Sequence, residues 1–251
     1  MTVFVGTSGW QYKDWRGVLY PERLAQRRWL EHYSSRFATV ENNGTFYRLP
    51  KPKTFTSWRS EVPEGFSMAV KASRFLTHIK RLKDPEEPVQ RLMGAVDGLV
   101  DRLGPILLQL PPNLKADPDL LSACLDRFPE RARVAVEARH ESWWTDEVRS
   151  VLSDHDAALC WADTRSREQT PPWRTASWGY LRLHEGTAEP ATQYGDRALN
   201  TWCGRLDDRL PKRADCYVYF NNDHGGAAIR NAFRFAELLR RRGREVPAAE
   251  R

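Results

Sequence analysis

The sequence predicts an α/β fold, a single (β/α)8 barrel of the TIM-barrel type. The chain has 251 residues, which is the usual size of one such barrel. Eight short apolar runs, each typical of a buried strand, are spread along it. Helix-like segments separate most of these runs, and no long linker or low-complexity tract interrupts the series.

Most of the predicted strands are near-continuous apolar runs and lack a clean polar/apolar alternation. This composition is typical of parallel strands that are covered on both faces. The predicted strands are residues 3–8, 39–43, 67–72, 106–110, 134–138, 158–162, 179–184 and 216–221.

The segments between the strands show helical periodicity or helix-start signals. Apolar residues three and four apart fit a 3.6-residue period in residues 88–103. Asp117 followed by Pro118 is a helix-start signal. Residues 163–177, with two consecutive prolines, indicate a loop where the pattern requires a helix. The predicted helices are residues 24–37, 88–103, 120–128, 144–152, 196–210 and 227–240.

A doubly wound open sheet is the alternative architecture. It is less favoured because eight repeating units lack the glycine-rich turn with which such sheets bind a dinucleotide. We expect one TIM-barrel-like domain over residues 1–240 and a short basic C-terminal tail over residues 241–251.

Polar side chains stand at the ends of the predicted strands. In a (β/α)8 barrel the carboxyl ends of the strands surround the active site, and residues two apart in a strand share a face. We therefore expect one mixed-charge pocket at this end. Its predicted members are Glu41, Lys71, Gln109, Glu137, Arg139, Asp163, Arg182, His184, Asn221 and Asn222.

Opposed charges in one pocket shift each other's pKa values, as acid/base catalysis requires. The alternative is that ion pairs at the strand ends serve only to close the barrel top. In the catalytic interpretation Glu41, Glu137, Asp163 and His184 are acid/base candidates, Lys71, Arg139 and Arg182 hold an anion, and Gln109, Asn221 and Asn222 bind the substrate.

A divalent metal ion is a further possibility for this pocket. Carboxylate and imidazole ligands could come from Glu41, Glu137, Asp163, His184 and Asp223. The cations in the same mouth would repel a metal ion, so we predict a metal-independent site. The sequence contains no nucleotide or flavin motif, and the cofactor stays unassigned.

Aromatic loops and one basic segment allow two interpretations each. Trp10 and Trp15 in the first loop, and Tyr47 in the second, would either stack on a base or sugar ring or plug the end of the barrel. Arg74 belongs to the most basic stretch, residues 71–83, which would either give the rim a positive potential or form a solvated loop.

Charge and cysteine content narrow the class of protein. The net charge of +6 fits an anionic ligand, although arginines that solubilise helix faces would give the same excess. The four cysteines are widely spaced and are predicted to be buried, reduced thiols. The first residues already read as a strand, and no apolar stretch approaches the ~18–20 residues of a membrane span. We expect a soluble cytoplasmic protein with no membrane partner.

Six sets of motifs lie at these strand ends, at residues 5–10, 40–48, 70–78, 108–112, 137–143 and 217–223. They resemble, in order, those of the YecE-like family, also called domain of unknown function 72. The resemblance covers residues 3 to about 235 and implies a TIM-barrel-like fold. It implies no activity, because that family has no established one.

One position departs from the pattern of this family. Asn42 stands where the family usually has an aliphatic residue, and Asn43 takes the place of the family's asparagine. If position 42 packs into the barrel wall, its amide needs a hydrogen-bond partner. Otherwise the strand must end one residue early.

Two functional hypotheses follow. In the first, the protein is an enzyme that acts by acid/base chemistry on an anionic substrate, either phosphate-bearing or nucleic-acid-related. In the second, it is a non-catalytic module that binds single-stranded nucleic acid or a small anionic metabolite through Trp10, Trp15, Tyr47 and Arg74. The many opposed titratable groups favour the enzyme. Protein partners are not indicated by the sequence.

Overall fold

Eight parallel strands form an almost closed barrel in the computed structural model, which describes residues 2–189, 192–211 and 213–247. The order of the strands around the barrel is β1-β9-β8-β6-β5-β4-β3-β2, and β7 pairs antiparallel with β6 outside this path. The predicted (β/α)8 architecture is confirmed. The strands are β1 (Val3–Thr7), β2 (Thr39–Asn42), β3 (Ser67–Lys71), β4 (Leu103–Gln109), β5 (Val134–Glu137), β6 (Ala158–Thr164), β7 (Arg167–Glu168), β8 (Gly179–Glu185) and β9 (Cys216–Phe220).

The barrel closes between β1 and β2, which approach each other very tightly. They share an isolated bridge between Ser8 and Glu41. A Cβ atom added to Gly6 would lie 2.3 Å from the carbonyl oxygen of Thr39. The Tyr33 hydroxyl spans the same seam, because it accepts from the Thr7 amide at 3.0 Å and lies 3.0 Å from the Thr39 carbonyl oxygen. A residue without a side chain at position 6 therefore permits closure.

Helices cover the outer face of the barrel, and their apolar sides pack on the strands. In α8, for example, Ile229, Ala232 and Phe235 are buried in the layer between helix and barrel. The helices are α1 (Trp29–Ser34), α2 (Gly44–Tyr47), α3 (Pro52–Glu61), α4 (Glu86–Val96), α5 (Pro118–Leu125), α6 (Asp146–Asp154), α7 (Asp196–Arg209) and α8 (Ala227–Arg241).

Four helices differ from the predictions. Helix α2, a single turn after β2, was not predicted. Helix α3 was not predicted, and it buries only Phe55, so its apolar stripe is too weak to be visible in the sequence. Helix α4 stops at Val96, and a 3-10 helix (Asp97–Arg102) with Val100 at φ 49° leads directly into β4. At 24–37 a 3-10 turn precedes the shorter α1.

The segment after β6 is a loop, as predicted from its prolines. It begins with a hairpin that joins β6 to β7. The two turn residues, Arg165 and Ser166, both have φ 57°. Two positive φ angles in succession are typical of a tight type I′ turn. Further on, the Thr175 hydroxyl accepts from the Leu159 amide at 2.8 Å. The predicted helix start at Asp117 is also confirmed, since its Oδ1 accepts from the Leu120 amide at 2.9 Å.

The interior of the barrel is filled below the carboxyl ends of the strands. Small and aliphatic side chains pack there against the aromatic rings of Trp178, Tyr180, Tyr217 and Tyr219. The Tyr219 hydroxyl is 2.7 Å from Thr39 Oγ1, so its polar atom is satisfied within the core. This filling leaves the carboxyl end as the place where the lumen meets solvent.

The described residues after α8 pack on the amino-terminal end of the barrel. Residues 242–247 follow α8, and the Glu245 carbonyl accepts from the Val3 amide at 2.8 Å, while Val246 is buried. The remainder of the predicted tail, residues 248–251, lies outside the described residues. All four cysteines are buried free thiols. No helix within the described ranges is long and apolar enough to cross a membrane.

We predict that Gly6→Ala destabilises the protein, because the new methyl group meets backbone at 2.3 Å and the seam must open. Overpacking of this kind costs about 1–3 kcal/mol of unfolding free energy. Urea denaturation measures it. The matched control is Gly94→Ala in α4, where an added Cβ meets nothing within 4 Å. The control should gain about 0.5–1 kcal/mol from helix propensity. Equal stability of Gly6→Ala and the wild type would contradict the closure argument.

Candidate active site

A buried arginine joins two carboxylates at the carboxyl end of the barrel. Arg182 in β8 donates from Nη2 to Glu41 Oε1 at 2.8 Å and from Nη1 to Glu137 Oε2 at 2.5 Å. All three residues are at most 1 % exposed. The arginine therefore connects β2, β5 and β8, which are not neighbours in the sheet. We call Glu41, Arg182 and Glu137 the central triad.

Glu41 is surrounded by hydrogen-bond donors. Its Oε1 accepts from Ser8 Oγ at 2.8 Å and from Asn43 Nδ2 at 3.1 Å, in addition to Arg182. Its Oε2 accepts from the Tyr180 hydroxyl at 2.6 Å. Burial by itself raises the pKa of Glu41, but the Arg182 charge and these donors outweigh it and hold the pKa below its usual value.

Glu137 is held in the same way at the other end of the triad. Arg139, two residues further along, places Nε and Nη2 at 2.9 and 2.8 Å from Glu137 Oε1. Burial opposes ionisation of Glu137, yet Arg182, His184 and Arg139 together hold its pKa well below the usual range. Both triad carboxylates are therefore ionised and weakly basic, which suits them to orient cations better than to accept protons.

His184 lies beside the triad with one nitrogen available. Asn221 Nδ2 is 3.0 Å from His184 Nδ1, and because an amide NH2 can only donate, Nδ1 is the acceptor. The ring proton of the neutral imidazole is then on Nε2. This atom is buried without a hydrogen bond, 3.3 Å from Glu137 Oε1. It can give a proton to a ligand in the mouth.

Lys71 is the last residue of β3 and faces the lumen, since Ala69, two residues earlier, belongs to the interior core. Its Nζ lies 4.3 Å from the centre of the Phe46 ring. Burial, followed by the charge of Arg182, lowers the pKa of Lys71 to about 8, although Glu41 and Glu137 oppose the shift.

Asp223 follows β9, and its pKa is raised, in contrast to the lowered pKa values of Glu41 and Glu137. Its Oδ1 is buried and has no hydrogen-bond partner in the described part of the chain. Burial raises the pKa of Asp223 to about 7, and the nearby Tyr12 hydroxyl only partly offsets this. Tyr12 directs its own proton to the Ser8 carbonyl oxygen at 2.7 Å. Asp223 is thus half-protonated near neutral pH.

A cavity of about 600 Å³ opens beside the triad. Glu137, Arg139 and His184 form its charged wall. Trp144 provides an aromatic wall, and Thr164 and Gln169 of the β6–β7 region add neutral polar groups. A volume of this size accommodates a small organic molecule.

The structure brings together eight of the predicted site residues. Gln109 joins the others because it faces the interior, in register with Glu137 on the adjacent strand and two residues beyond the core residue Leu107. The residues that share the lumen at this end are Glu41, Lys71, Gln109, Glu137, Arg139, Arg182, His184 and Asn221.

Two predicted members, Asp163 and Asn222, lie outside the mouth. Asp163 points to the outer layer, where it accepts from Trp202 Nε1 at 2.8 Å and from the Tyr194 hydroxyl at 2.9 Å. Asn222 donates to Asn231 Oδ1 at 2.8 Å, in α8. The residues before them, Ala162 in β6 and Asn221 just after β9, face the lumen, so the next side chain faces the helices. Both predictions of a place in the pocket are corrected.

The predicted aromatic contacts divide into buried and exposed residues. Trp15 is fully buried against Tyr33 of α1, and Trp10 is 5 % exposed with its ring edge-on to Trp58 of α3, so both belong to the core between barrel and helices. Tyr47 is 75 % exposed. Arg74 is exposed on the segment after β3. Asn42 is buried, its Oδ1 accepts from the Gly44 amide at 3.1 Å, and its Nδ2 donates to Met68 Sδ at 3.9 Å, so the amide that replaces an aliphatic side chain has partners.

Tyr180 and Trp144 were missed as site residues. Tyr180 precedes Arg182 by two positions, so the strand period could have placed it on the same face. Trp144 carries no such signal, because a loop positions it. Within the described residues no three side chains of His, Cys, Asp or Glu come together in a geometry that could hold a metal ion.

We predict that Arg182→Met costs about 3–5 kcal/mol of unfolding free energy at pH 7.5, because two buried carboxylates lose their counter-charge. The lowered pKa values of Glu41 and Glu137 stabilise the wild type above about pH 4, and this contribution is lost on acidification. In the variant, protonation relieves the uncompensated charges. The deficit should therefore shrink between pH 7.5 and pH 4.5, as measured by urea denaturation.

The control for this variant is Arg127→Gln, which removes an exposed ion pair with Glu86. Exposed pairs contribute about 0–1 kcal/mol, so the control should remain near the wild type at both pH values. A deficit of Arg182→Met that is independent of pH would contradict the assignment of buried, ionised carboxylates.

We predict that Asp223→Asn stabilises the protein at pH 8 and has little effect at pH 4.5. The folded-state pKa of about 7 lies above the unfolded value of about 4. The folded state therefore binds the proton more tightly, and stability falls as the pH rises from about 4 to 7. The expected gain at pH 8 is about 1–3 kcal/mol in denaturant titrations. Asp208→Asn on the exposed face of α7 is the control, and equal gains of both variants would refute the prediction.

Known proteins are similar to this chain over between about half and almost all of its length. The profile of the family described as "Protein of unknown function DUF72" matches residues 4–251. The UPF0759 protein YunF of Bacillus subtilis (strain 168) is 24% identical, over 94% of this chain and 94% of that protein. The UPF0759 protein YecE of Escherichia coli (strain K12) is 29% identical, over 57% of this chain and 50% of that protein.

Solved structures show the same fold. A DUF72 family protein from Thermotoga maritima MSB8 superposes with a TM-score of 0.81 at 29% identity, covering 96% of this chain and 100% of that one. A DUF72 family protein from Enterococcus faecalis V583 gives a TM-score of 0.79 at 18% identity, with 95% of each chain covered, which shows the fold alone. The family predicted from the strand-end motifs is confirmed: this chain belongs to the DUF72 family.

Proposed function

We propose that this protein is an enzyme that binds an anionic, phosphate-bearing or nucleic-acid-related substrate in the barrel mouth and acts on it by acid/base chemistry. The supporting observation is that the mouth contains more cations than carboxylates, and that the carboxylates already form ion pairs. Arg182 and Arg139 balance Glu41 and Glu137, and the charge of Lys71 is left over. A substrate anion would supply the missing negative charge.

Arg139 is the group best placed to bind this anion. Its side chain is 40% exposed and lines the cavity, whereas Arg182 is buried. Glu137 fixes its guanidinium from one side. The remaining N–H groups can donate to a phosphate or carboxylate with the planar geometry that arginine favours.

The acid/base roles fall to His184 and Lys71. The triad carboxylates, Glu41 and Glu137, accept too many hydrogen bonds to be effective bases. His184 presents an unpartnered Nε2, and the pKa of Lys71, about 8, suits proton transfer close to neutral pH. We propose that Gln109 and Asn221 position the substrate and that the reaction takes place in the cytoplasm, where the four buried thiols would remain reduced.

A binding module for single-stranded nucleic acid is the second candidate. The exposed ring of Tyr47 and the exposed Arg74 lie on the segments that follow β2 and β3. An aromatic face next to basic side chains can stack on a base and contact its phosphate. Trp10 and Trp15 are buried, so two of the four side chains predicted to contact nucleic acid are not exposed.

We predict that Arg139→Gln weakens the binding of inorganic pyrophosphate by about tenfold or more, because a charge-assisted hydrogen bond contributes about 1.5–3 kcal/mol. Isothermal titration calorimetry at low ionic strength measures the affinity. In a screen of phosphodiesters and phosphosugars, His184→Gln and Lys71→Met should lose the turnover that the wild type shows.

Arg213→Gln is the control, since Arg213 is exposed in the loop between α7 and β9, at the opposite end of the barrel. It should bind pyrophosphate like the wild type. Equal turnover by wild type, His184→Gln and Lys71→Met would reject the enzyme. Salt-sensitive oligonucleotide binding without turnover, lost in Tyr47→Ala, would support the binding module in its place.

A further inference from the structure

Lys71 differs from Arg139 and Arg182, the other cations of the mouth, because it has no counter-ion. Among the described residues, no carboxylate lies within ion-pair distance of its Nζ. The Nζ atom contacts the Phe46 ring instead. Glu41 and Glu137 act on it only from further away, because Arg182 and Arg139 occupy their oxygens. The ammonium group is neither paired nor fully solvated.

The groups around Lys71 weaken its positive charge. Burial and the cations Arg182 and Arg139 lower its pKa, and the carboxylates Glu41 and Glu137 raise it, with a net value of about 8. At pH 7.5 about a quarter of such a side chain is a neutral amine, against about a thousandth for an ordinary lysine. Desolvation beside other cations is a known way to make a lysine nucleophilic.

A lowered pKa does not help a lysine to bind an anion, because the neutral amine carries no positive charge. The mouth already contains Arg139, whose fork of donors binds phosphate or carboxylate better and keeps its charge. A neutral amine at a strand end has another use, because its lone pair can attack carbon. The end of β3 also belongs to the rim from which barrel enzymes present their reactive groups.

We propose that Lys71 is a nucleophile that forms an imine with the aldehyde or ketone carbonyl of an anionic substrate. This inference rests on the proposed function, because Arg139 must hold the anionic group of that substrate. The Nζ lone pair forms a bond to the carbonyl carbon, and the C=O π electrons move to oxygen, which takes up a proton. The hydroxyl group, protonated again, leaves as water, while nitrogen loses its protons and forms the C=N bond.

His184 is a proton donor at the same end of the barrel as Lys71. Its Nε2 is unpartnered and lies in the wall of the same cavity as Arg139. It can protonate the departing hydroxyl group, and the Asn221 contact at Nδ1 fixes the ring orientation. Glu137, 3.3 Å away, stabilises the imidazole when it is charged.

Reductive trapping tests the proposal directly. The protein is incubated with glyoxylate, reduced with sodium borohydride, digested and analysed by peptide mass spectrometry. We expect modification at Lys71 at least tenfold faster than at the exposed Lys13, Lys51 and Lys53. The pH dependence of the rate should have its midpoint near pH 8. Lys71→Arg should abolish this modification, whereas Lys53→Arg should leave it unchanged.

A neutral probe, glycolaldehyde, separates this proposal from the proposed function. Arg139→Gln should slow trapping of glyoxylate at Lys71 about tenfold more than trapping of glycolaldehyde, because loss of the Arg139 charge raises the pKa of Lys71 and slows both probes alike, whereas loss of the anion contact affects glyoxylate only. Trapping of both probes at Lys71 without a preference for glyoxylate would support the nucleophile and reject anion binding by Arg139. Pyrophosphate binding that depends on Arg139, with Lys71 trapped no faster than exposed lysines, would overturn the nucleophile and leave the proposed function intact.

Discussion

The double contact of Arg182 with Glu41 and Glu137 is the constraint on which the rest of the site depends. One guanidinium group on β8 reaches carboxylates on β2 and β5, across the lumen of the barrel. None of the three side chains is open to water, so each requires the other two. The strand ends are thereby held at fixed separations, and the mouth has little freedom to collapse.

The same contact determines which groups are left for chemistry. Carboxylates that accept from Arg182, Arg139, Tyr180 and Ser8 are stable anions with little basicity. Lys71 consequently has no counter-ion of its own, and burial, followed by the charge of Arg182, lowers its pKa. His184 is the other available group. Its Nδ1 is hydrogen-bonded to Asn221, and its Nε2 has no hydrogen-bond partner. Because the charges of the central triad balance each other, the groups available for acid/base chemistry are the neighbouring Lys71 and His184.

The barrel wall supports this arrangement at some cost in stability. At the β1–β2 seam, Gly6 permits an approach that any other residue would block. The same seam carries Ser8, which donates to Glu41, and the first loop buries Trp10 and Trp15. Asp223 lies close by with a pKa raised to about 7, so its ionisation opposes folding. Groups that reduce stability and remain at the mouth are typical of sites kept for function.

The sequence by itself determined the alternation of strands and helices, because apolar runs, helical periodicity and proline signals are local properties. It also determined that polar groups stand at strand ends, and the barrel fold turns that pattern into a pocket. It could not assign Asp163 and Asn222 to the outer layer, since both faces of a parallel strand are apolar and nothing in the sequence marks the lumen side. Helix α3 was also invisible, because it buries a single residue. The pairing of Arg182, the isolation of Lys71 and the shifted pKa values were decided by tertiary structure alone, because they depend on burial and on distances between strands far apart in the chain.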